Sequence, residues 1–410
     1  MARISRRRLI LVGGAVAVGG LFAVRFGVPW LVRPRGGLLS DDAAEWAEAC
    51  FGGIDRSQML DCHAHIVGIG AGGTGCWVNP ELRSQLNPIK RFQFDTYRAA
   101  VGLENPETAD ADYVRRLLSL HRQMNPDGRL LALAFDMHVG EDGTEHPDTS
   151  SFYTPNDYVL RLAARHKEIV PCVSIHPYRV DAVDRLDAAA EAGARAVKWL
   201  PNAMGIDPAS PLCDPFYRRL VELDLPIITH GGREYAVESS HQQGFGNPLR
   251  LRRPLDAGVR LVVAHCASFG TLDDFDAPNG ENRQAAAFDL FMRLFAETQY
   301  EKNLFADISG LTLINRSSRV LRELLVAEEF HHRLLNGSDY PIPALHILFS
   351  TLKLQWAGFL DERERTLANE IAPVNPLLFD FVVKRSLRVE KEGKTYRFPD
   401  RVFETEWFFN

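Results

Sequence analysis

From residue 58 onward the chain alternates short, β-branched apolar runs with longer stretches in which apolar residues recur every three or four positions. The short runs read as buried strands and the longer ones as amphipathic helices, so the pattern is a series of βαβ units and predicts a parallel sheet. Eight strand runs can be counted, over 58–65, 129–138, 170–177, 195–201, 226–232, 259–266, 304–310 and 333–340. The helical period is clearest over 181–193, 214–224, 282–299 and 317–330. Eight strands suit a closed (β/α)8 barrel, the TIM barrel, but an open doubly wound sheet is built from the same repeat. The strand ends separate the two. They finish on His63 and His65, His138, His176, Lys198, His230, His265, Ser309 and Asp339. In a barrel those ends converge on one face, where active sites sit.

The amino terminus breaks the pattern. Residues 1–8 carry four arginines, and 9–24 is a run of sixteen residues without a charge. Ser5-Arg6-Arg7-Arg8-Leu9-Ile10 resembles a twin-arginine export signal. A plain membrane anchor is the other reading: the run is shorter than the roughly 20 residues of a spanning helix, but 26–32 could extend it. No small-residue cleavage site stands out before Arg35, which suits an uncleaved anchor. The expected location is the periplasm, or the inner membrane facing it. The organisation expected is therefore a signal or anchor over 1–33, a linker and helix over 34–57, the barrel over 58–380 and an extension over 381–410. Within that extension, 388–403 reads as a hairpin turning at Glu392-Gly393.

Composition narrows the function classes. With 46% hydrophobic and 24% charged residues over 410 positions, the chain can bury a large core. Its net charge of -6, with both signs interspersed, provides no basic stripe and excludes nucleic acid as the expected partner. Six cysteines form no C-x-x-C pair, and three lie inside apolar strand runs, so buried free thiols are expected.

The chemistry lies at the strand ends. His63 and His65 are two apart on a strand and project from the same side, here toward the barrel axis, so two imidazoles can hold one ion. His230 ends Pro226-Ile-Ile-Thr-His, His265 ends Leu261-Val-Val-Ala-His, and Asp339 lies in Gly337-Ser-Asp-Tyr-Pro341. These segments, with Val173-Ser-Ile-His-Pro177 and Ala192-Gly-Ala-Arg-Ala-Val-Lys198, resemble the amidohydrolase superfamily from about residue 58 to about 380. The likeness is greatest to its amidohydrolase-related branch, which also contains decarboxylases of aromatic and related acids. The resemblance implies a metal held by His63, His65, His230 and Asp339, with Asp339 taking a proton from the attacking water and handing it to the leaving group. It leaves His265 to bind a second metal or to polarise the substrate carbonyl. Zn²⁺ is the default ion, with Mn²⁺, Fe²⁺ and Co²⁺ compatible with the same donors, at one or two per chain. In binuclear members a lysine at the place of Lys198 carries a bridging carbamate; in the amidohydrolase-related arrangement Lys198 is a substrate contact or ion-pair partner.

Further candidates for substrate contact are Arg233, which could clamp a carboxylate, His176 at the end of the third strand, and Trp77. Trp77 lies in the glycine-rich stretch 66–106, too long for an ordinary connection and expected to form a lid. The expected function is metal-dependent hydrolysis of a C–N, C–O or lactone bond in a small molecule. The alternatives are non-oxidative decarboxylation and a membrane-tethered binding protein that has lost catalysis.

Overall fold

The computed structural model describes residues 28–239, 242–278 and 283–409. The arginine-rich and apolar segment read as a signal lies almost wholly outside these residues. Among the described residues no helix is long and apolar enough to cross a membrane.

Eight parallel strands follow one another around a single sheet: β1 (Leu60–His65), β2 (Arg129–Leu133), β3 (Ile169–Val173), β4 (Ala196–Trp199), β5 (Ile227–His230), β6 (Leu261–Ala264), β7 (Leu304–Asp307) and β8 (Leu334–Leu335). The last strand returns to the first. Cys62 N donates to Asn336 O at 3.0 Å, Asp339 N to His63 O at 2.7 Å and His65 N to Tyr340 O at 2.8 Å. The sheet is thus a (β/α)8 barrel. Every predicted run overlaps one of these strands, but the ladders are shorter than the runs. In every run but the first the last residues leave the sheet toward the barrel mouth, and the polar groups lie either at the strand ends, as His63, His65, Lys198 and His230 do, or beyond them, as His138, His176, His265, Ser309 and Asp339 do.

The outer layer follows from the helical period. Ala287–Phe295 buries Phe288, Phe291, Leu294 and Phe295, and Ser318–Val326 buries Val320, Leu321, Leu324 and Leu325. Both are shorter than the sequence suggests. Gln284–Ala286 pairs as a strand with Thr271–Asp273, and Glu328–Arg333 tightens into a 3₁₀ turn. Outward residues of the strands, among them Val173, Val197, Trp199 and Val263, pack with the helices. Inward residues Leu131, Leu133, Val170, Cys172, Ile228, Val262 and Phe305 fill the barrel. All six cysteines are free and buried.

The carboxyl-terminal segment does two things. Val389–Lys391 and Lys394–Tyr396 form the expected antiparallel hairpin, with Glu392 and Gly393 at φ 54° and 78° in its turn. Beyond it, Phe408 and Phe409 join the barrel interior and close its lower end. Phe305 meets Phe408 at 4.7 Å between ring centroids, Arg260 Nη1 donates to Phe408 O at 3.2 Å, and Glu406 pairs with Arg129. The sequence reading did not anticipate this plug.

The stretch 66–106 is better ordered than its composition suggests. Trp77–Val78 pairs with Phe152–Tyr153, and Pro88–Ala100 is a helix whose first turn is capped by Asn87 Oδ1, accepting from Lys90 N at 3.3 Å. Only Thr96 and Ala100 of that helix are buried. Its inner face borders a cavity instead of a packed core, so the apolar stripe is weak.

Candidate metal centre and cavity

One extra residue in β1 between Asp61 and Ala64 shifts its register against β2. Leu60 and Cys62 therefore join the lower barrel interior, Ala64 packs outward, and His63 and His65 reach the site above. Asp61 accepts from His63 N at 3.0 Å and from Ser338 N at 2.8 Å, tying β1 to the loop that carries Asp339. That close approach requires Gly337, where a Cβ would stand 2.6 Å from His63 Cβ. After β6, His265, Cys266 and Ala267 have φ of 57°, 49° and 49°, and Asp339 has φ 60°. Left-handed conformations at non-glycine residues cost about 1–3 kcal/mol each and persist where the surroundings over-determine them.

These turns bring the polar ends together. His63 Nε2 is 3.3 Å from His65 Nε2, and Asp339 Oδ1 is 3.5 Å from each. Asp339 Oδ2 faces His265 Nε2 at 3.9 Å. The ligand atoms of His63, His265 and Asp339 all lie within 4.8 Å of one another. His230 stands beside His265, with ring centroids 5.4 Å apart. Its own nitrogens are turned to Glu234 Oε2 at 3.5 Å and to Arg233 O at 3.4 Å. The tight trio thus includes His265, which the resemblance left with an open role, and places His230 at its edge.

Asp307 organises the centre, and the sequence reading passed over it. Fully buried, it accepts from His63 Nδ1 through Oδ2 at 2.8 Å. Its Oδ1 accepts from His265 N at 2.9 Å, from Ser309 N at 3.0 Å and from the Ser309 hydroxyl. His265 Nδ1 in turn lies 3.0 Å from Ser309 O. With Nδ1 of each ring donating, Nε2 of His63 and of His265 keeps its lone pair and points into the cluster. Burial holds His65 down to about 4 and His265 to about 3, and lowers His230 as well, so these imidazoles are neutral at pH 7. Burial opposes the Asp339 carboxylate, but His265, His65 and His63 outweigh it and hold the group below the usual range. Neutral imidazole lone pairs converging on an ionised carboxylate are the donor set of a divalent cation, and the residues fit one. Lys198 is buried with Nζ 3.2 Å from His63 Nε2, and burial lowers its pKa.

Above the cluster lies a cavity of about 590 Å³, bordered by His63, His65, Lys198, His230, His265 and Asp339 below. Its apolar wall comes largely from the lid stretch and the loop after β2. Arg233 borders it, but its Nε is held by Thr271 O at 2.9 Å. Two expected substrate contacts do not reach the cavity. Both nitrogens of His176 are engaged in the wall, with Met204 O at 2.8 Å and Tyr178 N at 3.2 Å. Trp77 pairs with Tyr153, and it is Val78 and Asn79 that border the space.

The family model described as amidohydrolase matches residues 60–367, three-quarters of the chain and all eight strands. The chain belongs to the amidohydrolase family. No curated protein matches its sequence. Among solved structures, a protein from Pseudomonas putida named provisionally as a 2-pyrone-4,6-dicarboxylic acid hydrolase is 16% identical, with 79% of this chain and 97% of that one covered and a TM-score of 0.42. The 2,6-dihydroxybenzoate decarboxylase from Rhizobium is 12% identical, covering 78% and 97%, with a TM-score of 0.40. The 5-carboxyvanillate decarboxylase from Sphingomonas paucimobilis is 12% identical, covering 77% and 98%, with a TM-score of 0.41. Likenesses this distant add nothing to the family match. The members of this amidohydrolase family act on small molecules and bind divalent metal, which agrees with the donor set described above.

Proposed function

We propose that this amidohydrolase is a metal-dependent hydrolase that uses an activated water on a C–N, C–O or lactone bond of a small molecule. The observation that carries the reading is the division of labour within Asp339: Oδ1 is shared between the His63 and His65 imidazoles, while Oδ2 is turned away toward His265. His63, His65 and Asp339, with His265 or His230, would hold a Zn²⁺, Mn²⁺, Fe²⁺ or Co²⁺ ion, which would supply Lewis acidity and lower the pKa of a water to about 7. Asp339 Oδ2 would accept a proton from the attacking water and return it to the leaving group. Asp307 and Ser309 hold the His63 and His265 rings in the required tautomers. The lid stretch covers the reacting groups and excludes bulk water.

The test joins metal content to product analysis. The chain lacking residues 1–33 is expected to bind transition metal, and His63→Ala with His65→Ala to lose it. A panel of lactones, amides, esters and aromatic acids is expected to give hydrolysis products; carbon dioxide release from an acid, without hydrolysis, overturns the reading in favour of decarboxylation. We also propose that residues 1–33 direct the enzyme to the periplasm or tether it at the inner membrane. A reporter fused after residue 40 should fail to be exported when Arg6 and Arg7 are both replaced by lysine.

A further inference from the structure

The helix Pro376–Ser386 buries two charges. Asn375 opens it, its Oδ1 accepting from Leu377 N and Leu378 N at 3.1 Å, and Pro376 takes the first helical position. Leu377 to Lys384 are buried without a break, all round the helix, so this is a core element. Asp380 and Lys384 lie one turn apart within it, 2% and 1% exposed, and pair at 2.5 Å. Taking two charges out of water costs several kcal/mol per ion, and a buried pair offsets that cost only when its remaining polar atoms are bonded too. Here they are not. Asp380 Oδ1 has no hydrogen-bond partner among the described residues, and burial outweighs the attraction of Lys384 and pushes the carboxyl up to about 7. Apolar residues in place of such a pair are often no less stable, so its presence calls for another reason.

The other contact of Lys384 supplies one. Its Nζ donates to Gly337 O at 2.6 Å, in the loop that carries Asp339. β1 holds the same loop from the barrel side, where Cys62 N donates to Asn336 O, Asp61 accepts from Ser338 N and Asp339 N donates to His63 O. Lys384 grips it from the helix, at the peptide pressed closest to the strand, since a Cβ on Gly337 would stand 3.1 Å from His63 N. Asp61, Asn336, Ser338 and Asp380 border one small cavity of about 20 Å³, so strand, loop and helix meet there. Two residues on, Asp339 has φ 60°, a left-handed backbone that persists only where its surroundings fix it. In that conformation its Oδ1 stands 3.5 Å from His63 Nε2 and from His65 Nε2. A Gly337 peptide free to turn would let Asp339 relax and carry its carboxylate away from those imidazoles.

We propose that Lys384 is a positioning residue of the metal centre: by fixing the Gly337 carbonyl it sets the loop 336–339 and aims the Asp339 carboxylate at the imidazoles. Asp380 in turn aims the ammonium and balances its charge. Neither side chain borders the large cavity, so both act through the loop. The inference rests on Asp339 holding the metal and leaves the reaction type open.

The test reads Zn²⁺ affinity, by competition against a chelator, beside the thermal midpoint of the metal-free protein. Lys384→Met should bind Zn²⁺ about tenfold more weakly than the parent, as loss of an outer partner of a metal site does. Lys384→Met with Asp380→Leu removes both charges, so it should melt at or above the midpoint of Lys384→Met and still bind Zn²⁺ about tenfold more weakly than the parent. Asp380→Asn should melt below the parent yet bind Zn²⁺ as the parent does, because Lys384 stays bonded to Gly337 O. A pair that only stabilises the fold would make affinity follow the midpoint in all three. Parental affinity in Lys384→Met or in the double variant, or a loss in Asp380→Asn as large as theirs, overturns the assignment. If Asp339→Ala binds Zn²⁺ as the parent does, the metal reading fails and this inference with it; if Asp339→Ala loses the metal and Lys384→Met does not, this inference fails alone.

Discussion

Replacing Asp307 by asparagine tests how the centre is built without changing its shape. The side chain is fully buried, and its two oxygens do different work. An asparagine that keeps its carbonyl oxygen at the Oδ1 place still accepts from His265 N, Ser309 N and the Ser309 hydroxyl. The amide NH₂ then stands where Oδ2 did, 2.8 Å from His63 Nδ1, and it cannot accept a proton. His63 must turn its lone pair to Nδ1 and carry its proton on Nε2, the atom that faces His65, Asp339 and Lys198. The variant therefore loses one ligand lone pair and the charge-assisted bond that oriented the ring, an interaction of about 1.5–3 kcal/mol. Loss of such an outer partner typically weakens metal binding about 10- to 100-fold, or roughly 1.4–2.7 kcal/mol, which agrees with that figure. The assay is competition for Zn²⁺ against a chelator of known affinity, with circular dichroism confirming an intact fold. Unchanged metal affinity in a folded Asp307→Asn protein would refute the tautomer argument.

Other expectations follow from single contacts. His176 is held down to about 3 by burial, so its contribution to stability is complete above the ordinary histidine value of about 6.5 and is lost as pH falls from there toward 3. The slope is at most about 1.4 kcal/mol per pH unit for one proton, and urea unfolding of His176→Gln between pH 7.5 and 5 should show a flatter dependence than the parent. Phe408→Ala opens the lower end of the barrel and should cost about 3–5 kcal/mol by denaturant unfolding; a cost under about 1 kcal/mol would mean the plug does not stabilise the barrel. Lys198 lies against His63, and among the described residues only the ligand atoms of His63, His265 and Asp339 converge closely enough to hold an ion, so elemental analysis should find about one ion per chain, unchanged in Lys198→Ala. Two ions falling to one in that variant would instead favour a carbamate bridge.

Much of the barrel was legible because burial on both faces of a parallel strand leaves a short apolar run that little else produces. Its site was legible where two signals coincided, a strand end and a residue able to bind metal. His176 met both conditions and still belongs to the wall, since Met204 O and Tyr178 N occupy its nitrogens. Those partners come from other loops, and no local pattern announces them. Asp307 was the opposite case. It sits in Leu304-Phe-Ala-Asp-Ile-Ser-Gly310, and a carboxylate in a run destined for burial has to find donors. That need for donors is the signal in the sequence that marks Asp307.

The first strand shows why a correct pattern can rest on an unseen cause. Alternation alone sends Leu60 and Cys62 to one face and His63 and His65 to the other. If the histidines face the barrel axis, the two apolar residues should then pack among the outer helices. Instead Leu60 and Cys62 lie in the barrel interior with Leu131 and Val170, while His63 and His65 border the cavity above them. The register shift between Asp61 and Ala64 reconciles the two. One extra residue changes the facing part-way along the strand, so the same six residues fill the core below and hold the candidate ligands above. Asp61 at the shift accepts from His63 N and Ser338 N, so the irregularity that redirects the histidines also ties down the loop of Asp339. On this account Asp61→Ala should loosen both strand ends together, releasing metal and lowering the thermal midpoint in one step. A variant that melts lower yet keeps its metal affinity would show that the shift serves the barrel and not the site.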